Sequence, residues 1–240
     1  MKILKENFDD FNIHARIMPA LIIAMPVYIY LNINRILELN FINILRNSMV
    51  FIILIAFYYR IIRNLGKKIE EKMYFDLGNK PTTIVLQYRD TSFDELTKTR
   101  YHKKLNKKVA GIKLPIKKEN ETKEDDKAYE SAINWLRNFA NTHRDTEQRT
   151  YQELKDYNFW RNLYGGKTIM IISCLTCIII ELIKIILLNS KEFHQIYPNV
   201  FTMSIMLFIL LMVCVVINKN VIKMKAFDYA KTLLEVCERI

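Results

Sequence analysis

The sequence contains few residues that break helices and few that cross-link chains. Among its 240 residues there are only 5 Gly, 5 Pro and 4 Cys, while 51% are hydrophobic. This composition suits a helical protein, but the apolar residues are clustered and do not follow the period of a soluble helix. Cys174, Cys177 and Cys214 lie within apolar clusters. We therefore interpret the Cys174–Cys177 spacing as two small apolar positions and expect no disulfide framework.

The sequence also lacks the motifs that would indicate an enzyme. It contains no GxSxG, no Walker loop, no HExxH and no paired Cys/His metal spacing. A ligand cluster normally keeps two histidines at short spacing. The four histidines are instead scattered, at His14, His102, His143 and His194. We therefore expect no enzymatic activity, no metal site and no cofactor.

Long apolar runs are what the sequence has in abundance. There are four of them, Ile17–Ile33, Ser48–Ile62, Thr168–Leu188 and Val200–Ile217. A helix needs about 20 apolar residues to cross a bilayer, and the last two runs have that length. The first two runs are shorter, but Arg16 and Arg63 flank them, and long basic side chains extend a short span towards the interface. The sequence predicts four transmembrane helices, the alternative being a re-entrant or interfacial hairpin for the first two.

The chain has no acidic excess, since 36 Lys and Arg outnumber 25 Asp and Glu to give a formal charge of +11. The cations gather before the first span, between the second and third, and after the fourth. The two remaining loops hold only Arg35, Arg46 and Lys191. The positive-inside rule then places both termini and the middle segment in the cytoplasm.

The apolar runs and the charge pattern divide the chain into four predicted segments, which lie at 1–63, 64–167, 168–218 and 219–240. The first and third are transmembrane hairpins, the second is a cytoplasmic domain, and the fourth is a cytoplasmic helix with an apolar stripe. The predicted fold class is all-α, an integral membrane protein in which two transmembrane helical hairpins flank a mostly helical cytoplasmic domain.

Within the cytoplasmic domain, one helix carries a clear core pattern. In Lys127–Thr142 the apolar positions recur at helical spacing, at Tyr129, Ile133, Leu136 and Ala140. We expect this domain to fold around Trp135 on the same helix. The β-branched stretch Thr82–Val85 remains open, either as a helix that starts at Pro81 or as a short strand.

Two charges interrupt the third apolar run. Glu181 and Lys184 are three residues apart, so they share one face of a helix. A charge at the membrane centre costs about 2.5–3.5 kcal/mol on insertion scales, and pairing lowers this cost. The pair indicates either a pore-facing stripe that attracts cations, or a structural ion pair with Lys184 reaching the outer interface.

Gly165 and Gly166 join the helix Gln148–Leu163 to that charged span. Glycine is conformationally permissive, so the pair is a candidate gating hinge. The alternative is that the two glycines only end one helix and turn the chain into the membrane.

Cations in the middle segment form a second candidate site. A helix start at Pro81–Thr83 would direct free N–H groups at a phosphate. The candidate residues for an anionic ligand or partner are Lys80, Thr82, Thr83, Arg89, Arg100, Tyr101, Lys103 and Arg161. The alternative is a solvated basic face near anionic headgroups.

Several blocks of the chain are distinctive as a set, and they are Ala15–Leu21, Leu77–Thr83, Tyr88–Asp90, Arg100–Leu105 and Tyr157–Gly165. Together they resemble a family of uncharacterised bacterial four-helix membrane proteins. Asn79 stands where members of that family often have a second glycine. The resemblance implies a bacterial inner (cell) membrane location and a role as a transmembrane effector of anti-phage defence, which breaches the membrane on a signal.

The sequence thus leads to two main functional hypotheses. The first is a homo-oligomeric ion channel or pore gated by the cytoplasmic domain, with an oligomer required because four short helices cannot enclose an aqueous path. The second is a membrane-anchored sensor or scaffold that recruits a soluble partner. The expected partners are the lipid bilayer, further copies of the chain, and a soluble protein or nucleotide-like signal at the cytoplasmic domain. A small transporter is a third reading, but inverted repeats are not visible.

Overall fold

The computed structural model describes residues 10–33, 41–122, 125–187 and 196–240, and every regular element among them is helical. A short helical turn, Asp10–Asn12, and a π-turn, Ile13–Ile17, precede the first long helix. The helices that follow are α1 (Met18–Ile33), α2 (Phe41–Leu77), α3 (Pro81–Leu86), α4 (Glu95–Lys108), α5 (Asp126–Thr142), α6 (Gln148–Gly165), α7 (Lys167–Leu187), α8 (Ile196–Val216) and α9 (Lys219–Glu235). Short 3₁₀ turns lie at Lys118–Asn120 and Val236–Glu238. The all-α class is therefore confirmed for this part of the chain.

Within the described ranges, four helical stretches are long and apolar enough to cross a membrane. They are Asp10–Ile33, Leu45–Leu86, Lys167–Leu187 and Ile196–Val216. Each contains or overlaps one of the apolar runs read from the sequence. At most 28% of the residues in the most apolar window of any of them are buried, so most of their surface is left for lipid or for another chain.

The chain forms two compact units. Unit 1 comprises Met1–Ile69 and Asn158–Val221, and unit 2 comprises Glu70–Tyr157 and Ile222–Ile240. The segment boundaries read from the sequence, at 63, 167 and 218, stay predictions. The chain passes between the units within α2, within α6 and within α9, so each of these passages lies inside a helix.

Unit 1 is held together by aliphatic packing among the apolar helices. Helices α7 and α8 pair along their length, and α1 packs against both. The buried core cluster consists of Ala20, Ile23, Ile62, Leu163, Met170, Val213 and Ile217. These side chains come from α1, α2, α6, α7 and α8 together with the residue after α8, so the core joins every long helix of the unit.

Unit 2 is a helical domain whose core includes α5. The predicted stripe is confirmed, since Tyr129, Ile133, Leu136 and Ala140 are all buried. Trp135, by contrast, is only partly buried and stacks on Phe139 with the ring centroids 5.5 Å apart. The expectation that the domain folds around Trp135 is therefore wrong, because this residue lies beside the buried stripe of α5.

The open question at Thr82–Val85 is resolved in favour of a helix. Pro81 occupies the first turn of α3, where its missing N–H costs nothing. The next helix, α4, begins after Asp94, whose carboxylate accepts a hydrogen bond from the Thr97 N–H at 2.8 Å. A glycine with φ of +79°, Gly78, connects α2 to α3.

Candidate functional site

The charged pair of α7 lies inside unit 1, where it contacts Tyr30, a residue that the sequence did not indicate. The Glu181 side chain is fully buried, whereas the Lys184 side chain is 46% exposed. Lys184 Nζ donates to Glu181 Oε1 at 2.6 Å and to the Tyr30 hydroxyl at 3.3 Å. The same ammonium lies 5.5 Å from the centroid of the Tyr30 ring. We call these three side chains the Glu181 cluster.

Glu181 and Lys184 lie near the C-terminal end of α7. Glu181 lies six residues before the end of α7 at Leu187, which corresponds to about 9 Å at 1.5 Å per residue. Lys184 is about 4.5 Å from the same end. A lysine so close to a helix end readily carries its ammonium towards water while its stem stays in the apolar layer.

The two candidate hinge glycines lie in a nearly continuous helical path. Gly166 is the one residue between α6 and α7, and its N–H donates to Asn162 O at 3.1 Å. Its own carbonyl accepts from the Met170 N–H at 3.1 Å. Neither glycine has a positive φ. The backbone therefore does not need glycine here for a sharp turn.

Close helix packing explains why these positions are glycines. A Cβ added to Gly165 would lie 2.6 Å from Gly66 N and 2.8 Å from Ile62 O. A Cβ added to Gly166 would meet the Ile23 side chain, with Cγ1 at 2.8 Å. Helices α2 and α6 thus approach backbone to backbone, an arrangement that small residues permit in membranes.

A buried asparagine of α6, Asn162, holds the π-turn Ile13–Ile17 against that helix. Asn162 is fully buried, and its Nδ2 donates to Ala15 O at 2.6 Å. Arg16, the next residue of the turn, donates to the Tyr59 hydroxyl at 3.2 Å. A π-turn leaves backbone carbonyls without their usual helical donors, and the Asn162 amide supplies one.

The candidate anion-binding residues are divided between the two units. Thr82, Thr83 and Tyr101 are buried in unit 2, and the Thr82 hydroxyl accepts from Arg137 at 3.0 Å. Arg161 belongs to unit 1 and is buried there. With six residues, α3 is also too short to offer a strong helix-dipole site for phosphate.

Most of the remaining candidate cations are paired with carboxylates of unit 2. Lys80 Nζ lies 2.5 Å from Glu130 Oε1, and Arg100 Nη2 lies 2.6 Å from Glu238 Oε1. The Glu238 hydrogen bond raises the pKa of Arg100, and the same bond lowers the pKa of Glu238. Arg89 makes longer contacts with Glu121 and Asp126. Lys103 is exposed.

Two buried polar residues of α4, Lys98 and His102, contact backbone carbonyl oxygens in the interior of unit 2. The Lys98 ammonium donates to the carbonyl oxygens of Gln87 and Asp90, and burial lowers the pKa of this lysine. His102 Nε2 lies 2.9 Å from Leu86 O, and its Nδ1 lies 2.5 Å from Pro115 O. Burial lowers the pKa of His102, while these two carbonyl contacts act in the opposite direction. Within the basic run of α4, no spacing distinguishes Lys98 from the exposed lysines.

Comparison with known proteins finds no matching family model, no matching curated protein and no matching solved structure. Over the residues that the structure describes, the class it defines is an all-helical protein with four helices long and apolar enough to span a membrane.

Proposed function

We propose that the protein is a homo-oligomeric membrane channel or pore, gated by unit 2. The observation that supports this most directly is the nature of the connections between the units. Domain boundaries usually fall in exposed, flexible linkers. Here the three chain passages between the units lie inside α2, α6 and α9. A rearrangement within unit 2 is then passed along helical backbone to unit 1, whereas flexible linkers would absorb it.

Unit 1 has features that suit an assembled pore. Four helices are too few to enclose an aqueous path, so several copies are needed. The exposed aliphatic side chains of α7 and α8, among them Ile186, Leu187 and Val215, leave surface for lipid and for neighbouring copies. Glu181, which is buried and paired with Lys184, is the candidate carboxylate for a cation path.

The proposed biological setting is anti-phage defence, in which an effector depolarises the bacterial inner membrane on a signal. This part of the proposal rests on the block resemblance alone. A second candidate function, recruitment of a soluble partner, is supported by the exposed surface of α4. There Leu96 is 81% exposed, and Lys103, Lys107 and Lys108 are also exposed.

An insertion at a point where the chain crosses from one unit to the other tests the channel proposal. Three residues, Gly-Ser-Gly, inserted after Ile69 would interrupt α2 where it leaves unit 1. The same insertion after Gly111, an exposed turn residue with φ of +79°, is the matched control. We expect overproduced wild-type protein and the Gly111 insertion to depolarise cells equally, and the Ile69 insertion to change depolarisation at least tenfold in rate. Absence of depolarisation with the wild-type protein would favour the recruitment function.

The proposed topology makes a separate prediction. We expect Asn40→Cys and Ser190→Cys to react with a membrane-impermeant maleimide added outside intact cells, because the loops that contain them carry few cations. Positions 40 and 190 lie outside the described residues. Asn120→Cys, on an exposed turn of unit 2, should react only after the cells are permeabilised. Labelling of Asn120→Cys in intact cells would reverse the assignment of sides.

A further inference from the structure

The Lys184 ammonium lies among groups that also attract metal cations. It contacts a carboxylate oxygen of Glu181 at 2.6 Å and the hydroxyl oxygen of Tyr30 at 3.3 Å. It also lies near the ring of Tyr30, 5.5 Å from the centroid. Oxygen ligands suit hard cations, and an aromatic face attracts positive charge. A sodium or potassium ion would find the same kinds of groups at this position.

The carboxylate is not fully satisfied by its lysine. Glu181 Oε2 is buried, and it has no hydrogen-bond partner among the residues that the structure describes. Burying a carboxylate costs free energy unless both of its oxygens are paired or hydrogen-bonded. A cation bound next to Glu181 Oε2 would therefore be stabilising. The burial is one-sided, because Glu181 is enclosed while Lys184 reaches the surface.

We propose that Lys184 is a tethered cation that occupies, and thereby closes, a monovalent-cation site formed by Glu181 and Tyr30. Four methylene groups and a position about 4.5 Å from the end of α7 allow the ammonium to move out to water. Sodium or potassium can then replace it beside Glu181. The consequence for ion flux rests on the proposed channel function, but the binding site itself does not.

The test measures binding without any flux. Full-length protein in detergent micelles is heated at pH 8 in NaCl, KCl or choline chloride of equal ionic strength. Choline is a bulky quaternary ammonium without N–H donors, so it cannot approach a carboxylate oxygen as closely as sodium or potassium. A ligand that binds only the folded state raises the unfolding temperature in proportion to the logarithm of its concentration. We expect such a rise for Lys184→Met in NaCl or KCl relative to choline chloride, and a much smaller rise for the wild-type protein, because its tethered ammonium competes for the site.

Two control variants identify the groups involved. Lys184→Arg retains a tethered cation and should respond to the three salts as the wild-type protein does. The double variant Glu181→Gln with Lys184→Met lacks the carboxylate and should show no preference for small cations. Lys184→Gln, whose amide still donates to Glu181, serves as a second single variant should Lys184→Met fail to fold.

The outcomes separate this inference from the channel proposal. The inference is contradicted if neither single variant distinguishes sodium or potassium from choline, or if the double variant shows the same preference as Lys184→Met. Flux through liposomes containing the same variants tests the channel independently. If stability depends on the cation but no variant conducts ions, the cation site is supported and the channel proposal is contradicted. If the protein conducts ions but its stability shows no cation preference, the channel is supported and the cation site is contradicted.

Discussion

Replacing Gly165 with alanine is expected to destabilise unit 1. The new Cβ would lie 2.6 Å from Gly66 N and 2.8 Å from Ile62 O, both of which are backbone atoms. A backbone atom cannot rotate away, so α2 and α6 would have to separate. Alanine is favoured over glycine in a helix by about 1 kcal/mol, which opposes the effect. Overpacking typically costs about 1–3 kcal/mol and sometimes more, so the clash should dominate.

Gly166 provides the control for this experiment. Its added Cβ would meet the Ile23 side chain and not a backbone atom. We therefore expect Gly166→Ala to be destabilising, and Ile23→Val, which removes the Cδ1 atom, to restore part of the loss in the double variant. Ile23→Val should give no rescue of Gly165→Ala. The measurement is the midpoint of unfolding in mixed detergent, and a rescue of both glycine variants would show that the close approach of backbones is not the cause.

This experiment also bears on the candidate hinge. If the glycines act by allowing bending between α6 and α7, both alanine variants should leave the stability of unit 1 close to that of the wild-type protein and change only gating. If the glycines act by allowing close packing, both alanine variants should lower the stability of unit 1. The contacts of Gly165 with Gly66 and Ile62 favour packing.

Local signals in the sequence were enough to predict the long helices of this fold. The four apolar runs were recognised by their length and the stripe from Tyr129 to Ala140 by its helical repeat, and the sequence displays both directly. The partners of the polar residues depend on contacts between distant segments. Tyr30 meets Lys184 across 154 positions, and Asn162 meets Ala15 across 147. No local pattern predicts such pairs.

Trp135 shows the limit of that reasoning within a single helix. A large aromatic residue is a reasonable centre for a core, but it is one residue before Leu136, which lies on the buried stripe. One residue of an α-helix corresponds to a rotation of about 100°, so a neighbour of the stripe lies at its side. The helical spacing of the apolar residues therefore predicted the buried face of α5 better than the size of one side chain did.

Tyr129→Ala is expected to be the most damaging single substitution in unit 2. The ring is fully buried, and it contacts the His102 ring at a centroid distance of 5.5 Å. Its hydroxyl donates to Glu121 Oε1 at 2.9 Å. Truncation of a buried aromatic side chain costs about 3–5 kcal/mol. We expect a loss of this size in unfolding followed by hydrogen exchange of the amides of α5.

Two further variants divide this loss into its causes. Tyr129→Phe retains the ring but deprives Glu121 of one donor, and hydrogen bonds to charged groups contribute about 1.5–3 kcal/mol. The Tyr88 N–H, which donates to the same Oε1 at 3.0 Å, limits the loss to the lower part of that range. Trp135→Ala removes a larger side chain from a partly exposed position, so it should cost less than Tyr129→Ala despite its size. If Trp135→Ala proves the more damaging, the core of unit 2 is centred on the face of α5 that carries Trp135 and Phe139.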